Sequence, residues 1–153
     1  MRIRLLMVGR TERGPVAQGV AEYLGRLKRM VPVEEVVVPD AGTGDEAHQR
    51  RVECARLLAA LSPHERVVVL DERGSLLDSR SFAGRLGAWR DSGVRQLTFV
   101  IGGAYGLDDP VRQRADLVLA LSPMTFTHQM VRVILAEQLY RALTILHGRP
   151  YHH

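Results

Sequence analysis

The last twenty-six residues, 128–153, predict a helix with no free polar face, in which Arg132, Glu137 and Arg141 lie among apolar side chains. A charge in an apolar environment is costly unless it is paired, so charges retained there suggest a functional role. Glu137 and Arg141 are spaced i,i+4, and a simple ion pair within one helix is the plainer interpretation of them. The Leu, Ile and Val side chains around them predict that such a pair is removed from water.

A second group of candidate residues follows the last three predicted strands. Ligands bind beyond the carboxyl ends of the strands in open α/β sheets. At those positions the sequence contains Leu70–Gly74, Gly102–Gly106 and Leu121–Phe126. Glycines directly after a strand let a ligand approach the backbone closely, which would suit an adenine or a nucleoside. An ordinary strand-to-helix turn is the alternative explanation of the Gly102-Gly103 pair.

Other chemical signatures are weak or missing. The glycines at 102–106 lack the G-x-G-x-x-G spacing, no P-loop lysine is present, and no close cluster of His, Asp or Glu argues for a metal. Ser122 lies in no nucleophile elbow. Cys54 and Trp89 are interpreted as packing residues, and His152-His153, taken alone, as a mobile tail.

Strands and helices must alternate to position these residues. The apolar and β-branched runs predict strands at 3–8, 33–38, 67–70, 97–101 and 117–121. The predicted helices cover 15–29, 46–61 and 78–93, with a short helical turn after Pro110 and a long final helix. Strands this continuously apolar are typical of a parallel sheet with helices on both faces. We therefore predict one α/β domain over residues 1–153.

Composition agrees with a single globular domain. The 153 residues suit one substantial core, and 46% hydrophobic and 25% charged residues argue against disorder. No stretch approaches the roughly 20 apolar residues that cross a bilayer, and the first apolar run is too short for a signal peptide. A single cysteine excludes an intrachain disulfide, so we expect a reducing, cytoplasmic location.

The formal net charge of +4 is unevenly distributed. After Asp116 the only acid is Glu137, whereas three arginines and four of the six histidines lie there. A basic, histidine-bearing terminus suits a phosphate-rich partner. A merely solvated cationic surface is the alternative interpretation.

The final predicted helix has no free polar face. At about 100° per residue, Leu139 and Leu143 fall on one side, and Met130, Val133 and Ile134 fall on the other. A helix that is apolar all round must be covered all round. In a chain this short, the second cover is most easily a partner subunit, so we predict a homodimer.

In these loops and in the last helix the sequence resembles the RlmH (YbeA-like) family of large-subunit ribosomal RNA methyltransferases, in the SPOUT superfamily. The motifs that carry the resemblance are FVIGGAYGL at 99–107, LSPMTF at 121–126, HQMVRVILAEQLYR at 128–141 and PYH at 150–152. Their combination at these spacings is highly specific, although no single motif is. The resemblance extends over the whole chain, and residues 97–153 carry most of it. Residues 41–60 match the family poorly, and we expect them to lie far from the site.

The resemblance implies a parallel-sheet fold whose carboxyl-terminal segment forms a deep trefoil knot, a rare exception to the rule that chains are unknotted. It also implies a homodimer packed largely through the last helix. S-adenosylmethionine would bind in a bent conformation between the three loops, mainly through backbone groups. The implied cofactor-binding residues are Leu70, Gly102, Gly103, Gly106, Leu121, Ser122, Pro123, Met124, Thr125 and Phe126.

The implied reaction is methylation of N3 of a pseudouridine in large-subunit (23S) ribosomal RNA, within the assembled ribosome. In-line displacement at a sulfonium methyl requires no metal, and positioning supplies most of the catalysis. N3 must lose a proton, which a neighbouring base or a stabilised enolate would assist. The implied roles place His128 and Arg141 beside the target base, Glu137 as the group that orients Arg141, and Tyr151 and His152 in a lid or RNA clamp.

Two other functions remain compatible with the sequence. The first is a non-catalytic protein of the same fold that binds RNA or the ribosome, and a lack of affinity for S-adenosylmethionine would favour it. The second is a related methyltransferase that acts on tRNA. With no appended RNA-binding domain in the sequence, we expect the substrate to supply much of the binding surface. A ribosomal particle does so better than a small free RNA.

Overall fold

The computed structural model describes all residues from 1 to 153. Five strands form one parallel sheet in the order β2-β1-β4-β3-β5. The strands are β1 (Arg2–Val8), β2 (Val33–Val38), β3 (Arg66–Leu76), β4 (Gln96–Ile101) and β5 (Leu117–Ala120). The helices are α1 (Pro15–Leu27), α2 (Glu46–Ala59), α3 (Ser79–Asp91), α4 (Asp109–Arg114) and α5 (His128–Leu146).

The sheet separates two apolar cores. In β1, the side chains of Ile3, Leu5 and Met7 belong to the core formed with α1, α3 and α5. Leu6 and Val8 belong to the core formed with α2 and α4. Because both faces of the sheet are covered, its strands are apolar without a polar alternation. The prediction of a five-stranded parallel sheet with helices on both faces is confirmed.

Short polar side chains begin most of the helices. Asp45, Asp78, Asp108 and Thr127 each accept a hydrogen bond from an amide in the first turn of α2, α3, α4 or α5. Helix α1 begins instead at Pro15, whose missing N–H is not needed at the first helical position.

The predicted starts of α1, α2, α3 and α5 are confirmed, whereas α4 begins at Asp109, before the predicted start after Pro110. The predicted ends of α1, α2 and α3 lie two residues too late, because the last residues form turns after the regular helix. The final helix ends at Leu146, so the prediction of a helix through residue 153 is wrong.

Strand β3 is longer than the predicted strand at 67–70. Both Leu70 and Ser75 are paired with Leu119 of β5, so Asp71–Gly74 leave the ladder and form what we call the β3 excursion. The sequence analysis treated these polar residues as a loop, because they continue no apolar pattern. At Gly74 the chain passes so close to β5 that a Cβ atom would lie 2.6 Å from the Val118 carbonyl carbon.

Helix α5 lies between α1 and α3. Val133 packs so closely on Gly19 of α1 that a Cβ atom at Gly19 would lie 2.6 Å from the valine Cγ2. Part of the side that the sequence analysis assigned to a partner subunit is therefore covered by the same chain. Met130 remains 43% exposed, and Ile134 is half-buried. None of the helices combines the length and the apolar character needed to cross a membrane.

Candidate functional site

A cavity of about 1190 Å³ lies at the carboxyl ends of β3, β4 and β5 and beside the first turn of α5. Nine of the ten predicted cofactor-binding residues line it: Leu70, Gly102, Gly103, Gly106, Leu121, Ser122, Met124, Thr125 and Phe126. Pro123 is exposed and does not line the cavity. The three sequence-predicted loops are therefore brought together around one space.

Glycines form the wall of the cavity after β4, which we call the glycine loop (Gly102–Gly106). The Gly106 amide donates to the Gly103 carbonyl oxygen at 3.1 Å, and Gly106 has a φ of +77°. A Cβ atom at Gly102 would lie 2.9 Å from Leu107, and one at Gly103 would lie 2.6 Å from the Glu53 carboxylate. Close packing within the protein, and not only the approach of a ligand, therefore requires these two glycines.

The loop after β5 supplies an apolar rim. The Ser122 hydroxyl accepts a hydrogen bond from the Met124 amide at 2.9 Å, and the Thr125 hydroxyl donates to Glu72 of the β3 excursion at 2.5 Å. Met124 is 75% exposed and Phe126 is 38% exposed. The polar groups thus fix the loop, while its large apolar side chains remain available to a ligand or a second molecule.

His128 stands at the amino-terminal end of α5 and lines the cavity. Burial, and then the positive charge of Arg132, lowers the pKa of His128 below its usual 6.5. The imidazole is therefore neutral at pH 7 and has a free nitrogen lone pair to accept a proton. The sequence motif indicated this residue, and the structure places it on the cavity wall.

The next residue, Gln129, holds the loop between β1 and α1 against the cavity. Its Oε1 accepts from the Glu12 amide at 2.9 Å, and its Nε2 donates to the Arg10 carbonyl oxygen at 3.1 Å. Glu12 thereby lines the cavity. The sequence analysis missed Glu12, because no motif links it to residues more than 100 positions away.

Arg132 is 1% exposed and has no carboxylate partner. Its guanidinium donates to the carbonyl oxygens of Val8 at 2.6 Å and Gly9 at 2.9 Å, and to the Thr11 hydroxyl at 3.1 Å. Burial lowers the pKa of this guanidinium, and its Nε has no partner. This charge connects α5 to the end of β1, so its role is to hold the strand end in place.

The remaining predicted catalytic residues form a second group at the other end of α5, the carboxyl-terminal cluster (Glu137, Arg141, Tyr151 and His152). Arg141 donates to Glu137 Oε1 from Nη2 at 2.6 Å and from Nε at 3.1 Å. The Tyr151 hydroxyl donates to the same oxygen at 3.0 Å, and His152 Nδ1 lies 3.3 Å from Arg141 Nη1. The ion pair predicted within the helix is confirmed, and the end of the chain packs onto it.

This cluster is only partly buried, and Tyr151 packs edge-to-face against Tyr140. The side chains of Glu137 and Arg141 are 17% and 24% exposed, so the pair that was predicted to be removed from water is only partly removed from it. The Arg141 guanidinium lies 4.8 Å from the Tyr151 ring centroid, which is itself 4.8 Å from the Tyr140 centroid. Burial and hydrogen bonds raise the pKa of Tyr151, which keeps its phenol protonated. Tyr151 and His152 contact side chains of α5, which does not agree with the interpretation of His152 as a mobile tail.

The structure separates the predicted catalytic residues into two places. His128 lines the cavity, whereas no member of the carboxyl-terminal cluster does. At a rise of about 1.5 Å per residue, His128 and Arg141 are about 20 Å apart along α5. Within one chain these two residues cannot act on the same atom.

A profile of the family described as predicted SPOUT methyltransferase matches residues 1–152. The chain belongs to the SPOUT methyltransferase family. It is 51% identical to a protein of Trichlorobacter lovleyi and 49% identical to one of Rhodospirillum centenum, both called ribosomal RNA large subunit methyltransferase H. The alignments cover 100% of both chains in the first case and 99% of both in the second.

Solved structures of methyltransferases share the fold. A probable methylase family protein from Haemophilus influenzae gives a TM-score of 0.59 at 13% identity, covering 99% of this chain and 70% of that one. A probable methyltransferase from Bordetella pertussis gives 0.58 at 20% identity, covering 93% and 96%. At these identities the likeness concerns the fold alone.

The SPOUT match includes residues 41–60, which the sequence analysis placed far from the site. That expectation is wrong, because α2 packs beside the glycine loop. Glu46 and Arg50 line the cavity, and buried Glu53 accepts from the Ala41 amide at 3.0 Å. Cys54 is buried in the core, which confirms its packing role, and burial raises the pKa of its thiol to about 12. Trp89 is likewise buried in the other core.

Proposed function

We propose that this protein transfers a methyl group from S-adenosylmethionine to N3 of a pseudouridine in the large-subunit ribosomal RNA of the assembled ribosome. The full-length similarity to proteins called ribosomal RNA large subunit methyltransferase H supports the substrate class. The observation that carries the proposal is the cavity, which joins three loops at the carboxyl ends of neighbouring parallel strands.

The cavity suits S-adenosylmethionine in size and chemistry. Its volume of about 1190 Å³ exceeds the roughly 300–1,000 Å³ of ordinary small-molecule sites, which leaves room for a cofactor and a nucleobase. Leu70, Leu119 and Leu121 provide apolar surface for an adenine, and the glycine loop provides backbone groups. A fold relative from Legionella pneumophila, with a TM-score of 0.50, is described in complex with bound cofactor SAM. The cofactor would supply an electrophilic sulfonium methyl group.

The residues of the chain would position the base and remove its proton. Neutral His128 would accept the N3 proton, because its lowered pKa leaves the imidazole unprotonated at pH 7. The guanidinium of Arg141, oriented by two hydrogen bonds to Glu137, would stabilise the negative charge that develops on the base. Tyr151 and His152 would close over the bound nucleotide as a lid or clamp.

We further propose that the active unit is a homodimer. The separation of about 20 Å between His128 and Arg141 supports this, because the carboxyl-terminal cluster of a second copy would have to complete each cavity. Exposed Met124, Phe126 and Met130 form apolar surface beside the cavity that a second copy would cover. Each dimer would then contain two composite sites.

We also propose that the chain acts as one domain, with the deep trefoil knot that the family resemblance implies, in the cytoplasm where ribosomes are present. The threading of residues 121–153 through the preceding loop can be tested by cyclisation. Joining the termini by a linker should give a circular product that retains a knot after denaturation. An unknotted circle would contradict the knot alone and leave the methyltransferase proposal standing.

The methyltransferase proposal is tested on ribosomes that lack the modification. These particles, free tRNA and deproteinised ribosomal RNA would each be incubated with the protein and labelled S-adenosylmethionine, and the methyl group would be mapped by mass spectrometry. We expect label at N3 of one pseudouridine, in the particles only. Labelled tRNA would favour the alternative substrate. Cofactor-independent ribosome binding without any label would favour the non-catalytic alternative.

A further inference from the structure

Arg112 of α4 connects its own helix and the preceding Leu107 to the β3 excursion on the cavity wall. Its Nη1 donates to Asp71 Oδ2 at 2.9 Å and to the Leu107 carbonyl oxygen at 2.8 Å. Its Nη2 donates to Asp109 Oδ1 at 2.6 Å. No sequence motif indicates this residue, because its partner Asp71 lies 41 positions away in the chain.

Two of the acceptors belong to different segments of the cavity wall. Asp71 begins the β3 excursion, which leaves the ladder with β5. Leu107 directly follows the glycine loop, and its side chain packs under Gly102. Asp71, Leu107 and Arg112 all line the cavity. One guanidinium therefore links two parts of the cavity wall that lie beyond Val69 and Val100, the last residues paired between β3 and β4.

The burial of these groups distinguishes the bond to Asp71 from the bond to Asp109. The side chains of Asp71 and Arg112 are 10% and 17% exposed, whereas that of Asp109 is 77% exposed. Water screens an exposed ion pair, so the Arg112–Asp109 bond contributes little. The shielded Arg112–Asp71 bond is the stronger connection, and Asp71 also fixes its own segment by accepting from the Arg73 amide at 2.8 Å.

We propose that Arg112 is a positioning residue that holds the β3 excursion and the glycine loop at the separation that S-adenosylmethionine requires. Arg112 would set affinity for the cofactor without taking part in methyl transfer. This inference rests on the proposed function, since it names the same ligand for the same cavity. The inference goes beyond the proposed function because it assigns a positioning role to Arg112, which lies outside the family motifs.

The test compares Arg112→Ala with Arg66→Ala. Arg66 donates to Asp116 at the same N···O distance of 2.9 Å, but it lies at the amino end of β3 and does not line the cavity. Titration calorimetry would measure the binding of S-adenosylmethionine. We expect Arg112→Ala to weaken binding about tenfold or more, as the loss of a charge-assisted bond predicts, and Arg66→Ala to leave it unchanged.

Kinetics and conservative variants separate positioning from general damage to the fold. In Arg112→Ala, KM for the cofactor should rise about tenfold while kcat stays within about threefold. Arg112→Lys should restore part of the affinity, because an ammonium reaches fewer of the three acceptors than a guanidinium does. Asp71→Asn should reproduce the loss, and the double variant should be no worse than either single one.

Amide hydrogen exchange of the cofactor-free protein gives a readout that does not depend on catalysis. Arg112→Ala should accelerate exchange in segments 71–76 and 103–107, and Arg66→Ala should not. If wild-type protein binds the cofactor and Arg112→Ala binds it equally well, the inference is wrong. If wild-type protein fails to bind the cofactor, the proposed function is wrong, and the exchange data still report whether Arg112 holds the two segments.

Discussion

The two ends of α5 use arginine in opposite ways. Near the amino-terminal end, Arg132 is fully buried and donates to two carbonyl oxygens and a hydroxyl. Near the carboxyl-terminal end, Arg141 is partly exposed and shares Glu137 with Tyr151. A buried guanidinium that donates to backbone carbonyl oxygens stabilises the fold and is not accessible to a substrate. A partly exposed guanidinium, oriented by a carboxylate and stacked on an aromatic ring, is available to a substrate.

The most direct test of this comparison asks whether the two ends of α5, from two subunits, contribute to one active site. His128→Ala and Arg141→Ala should each lower methyl transfer by about 1,000-fold, the upper range for loss of a positioned polar group. Mixing the two variants under conditions of subunit exchange should restore about a quarter of wild-type activity. Half of the dimers would then be mixed, and each would hold one intact site.

The matched control for this mixing experiment is Arg141→Ala mixed with itself. Activity of the mixture is measured as label incorporated into ribosomes. A mixture of the two variants that stays as inactive as the control would show that each chain uses its own residues. The division of α5 into two half-sites would then be abandoned.

A stability difference between the two arginines is the next largest effect. Arg132→Met should lower the free energy of unfolding by about 3 kcal/mol, because it leaves buried carbonyl oxygens without donors. Arg141→Met should cost less than about 1 kcal/mol, since its ion pair is partly exposed. Urea denaturation at a fixed protein concentration measures both. Equal losses would remove the distinction between a structural and a functional arginine.

The pH dependence of the amino-terminal end should follow His128. Its pKa in the folded protein lies below the 6.5 of the unfolded chain, so the unfolded state binds the proton more readily. Stability is therefore complete above pH 6.5 and declines as the pH falls toward the lowered value. The rate should stay constant from pH 8 to 6.5 and then fall by about tenfold per unit once His128 is protonated. A rate that already falls between pH 8 and 7 would exclude His128 as the base.

The smallest expected effect concerns the helix cap beside His128. Thr127 Oγ1 accepts from the Met130 amide at 3.2 Å, so Thr127→Ala should cost about 1 kcal/mol of stability. Thr43→Ala, in an exposed loop, should change the unfolding free energy by less than about 0.5 kcal/mol. Thermal denaturation of the two variants provides the measurement. A neutral Thr127→Ala would show that tertiary contacts alone hold this end of α5.

Local signals in the sequence account for most of the fold. Apolar runs located all five strands, and Pro15 and the residues around Asp78 located helix starts, because these signals act within a few residues. The motif loops likewise predicted ten cofactor-binding residues, and nine of them line the cavity. These features require no knowledge of which distant segments meet.

Contacts between distant segments could not be predicted from the sequence. The bond from Arg112 to Asp71 and the support of Glu12 by Gln129 depend on the order of strands in the sheet, which no local pattern encodes. The position of α2 beside the glycine loop has the same origin. Periodicity predicted the final helix but not its end at Leu146, nor that His128 and Arg141 lie at opposite ends of it.

The double pairing of Leu119 has a consequence for how this protein can change. If Asp71–Gly74 were deleted together with Ser75, Leu70 would be joined directly to Leu76, the partner of Ala120, and β3 could continue beside β5 as an uninterrupted ribbon. Such a chain would make more regular hydrogen bonds between β3 and β5, but it would lose part of the cavity wall. The four residues of the β3 excursion thus interrupt the pairing of β3 with β5 and form part of a cavity that another molecule can enter.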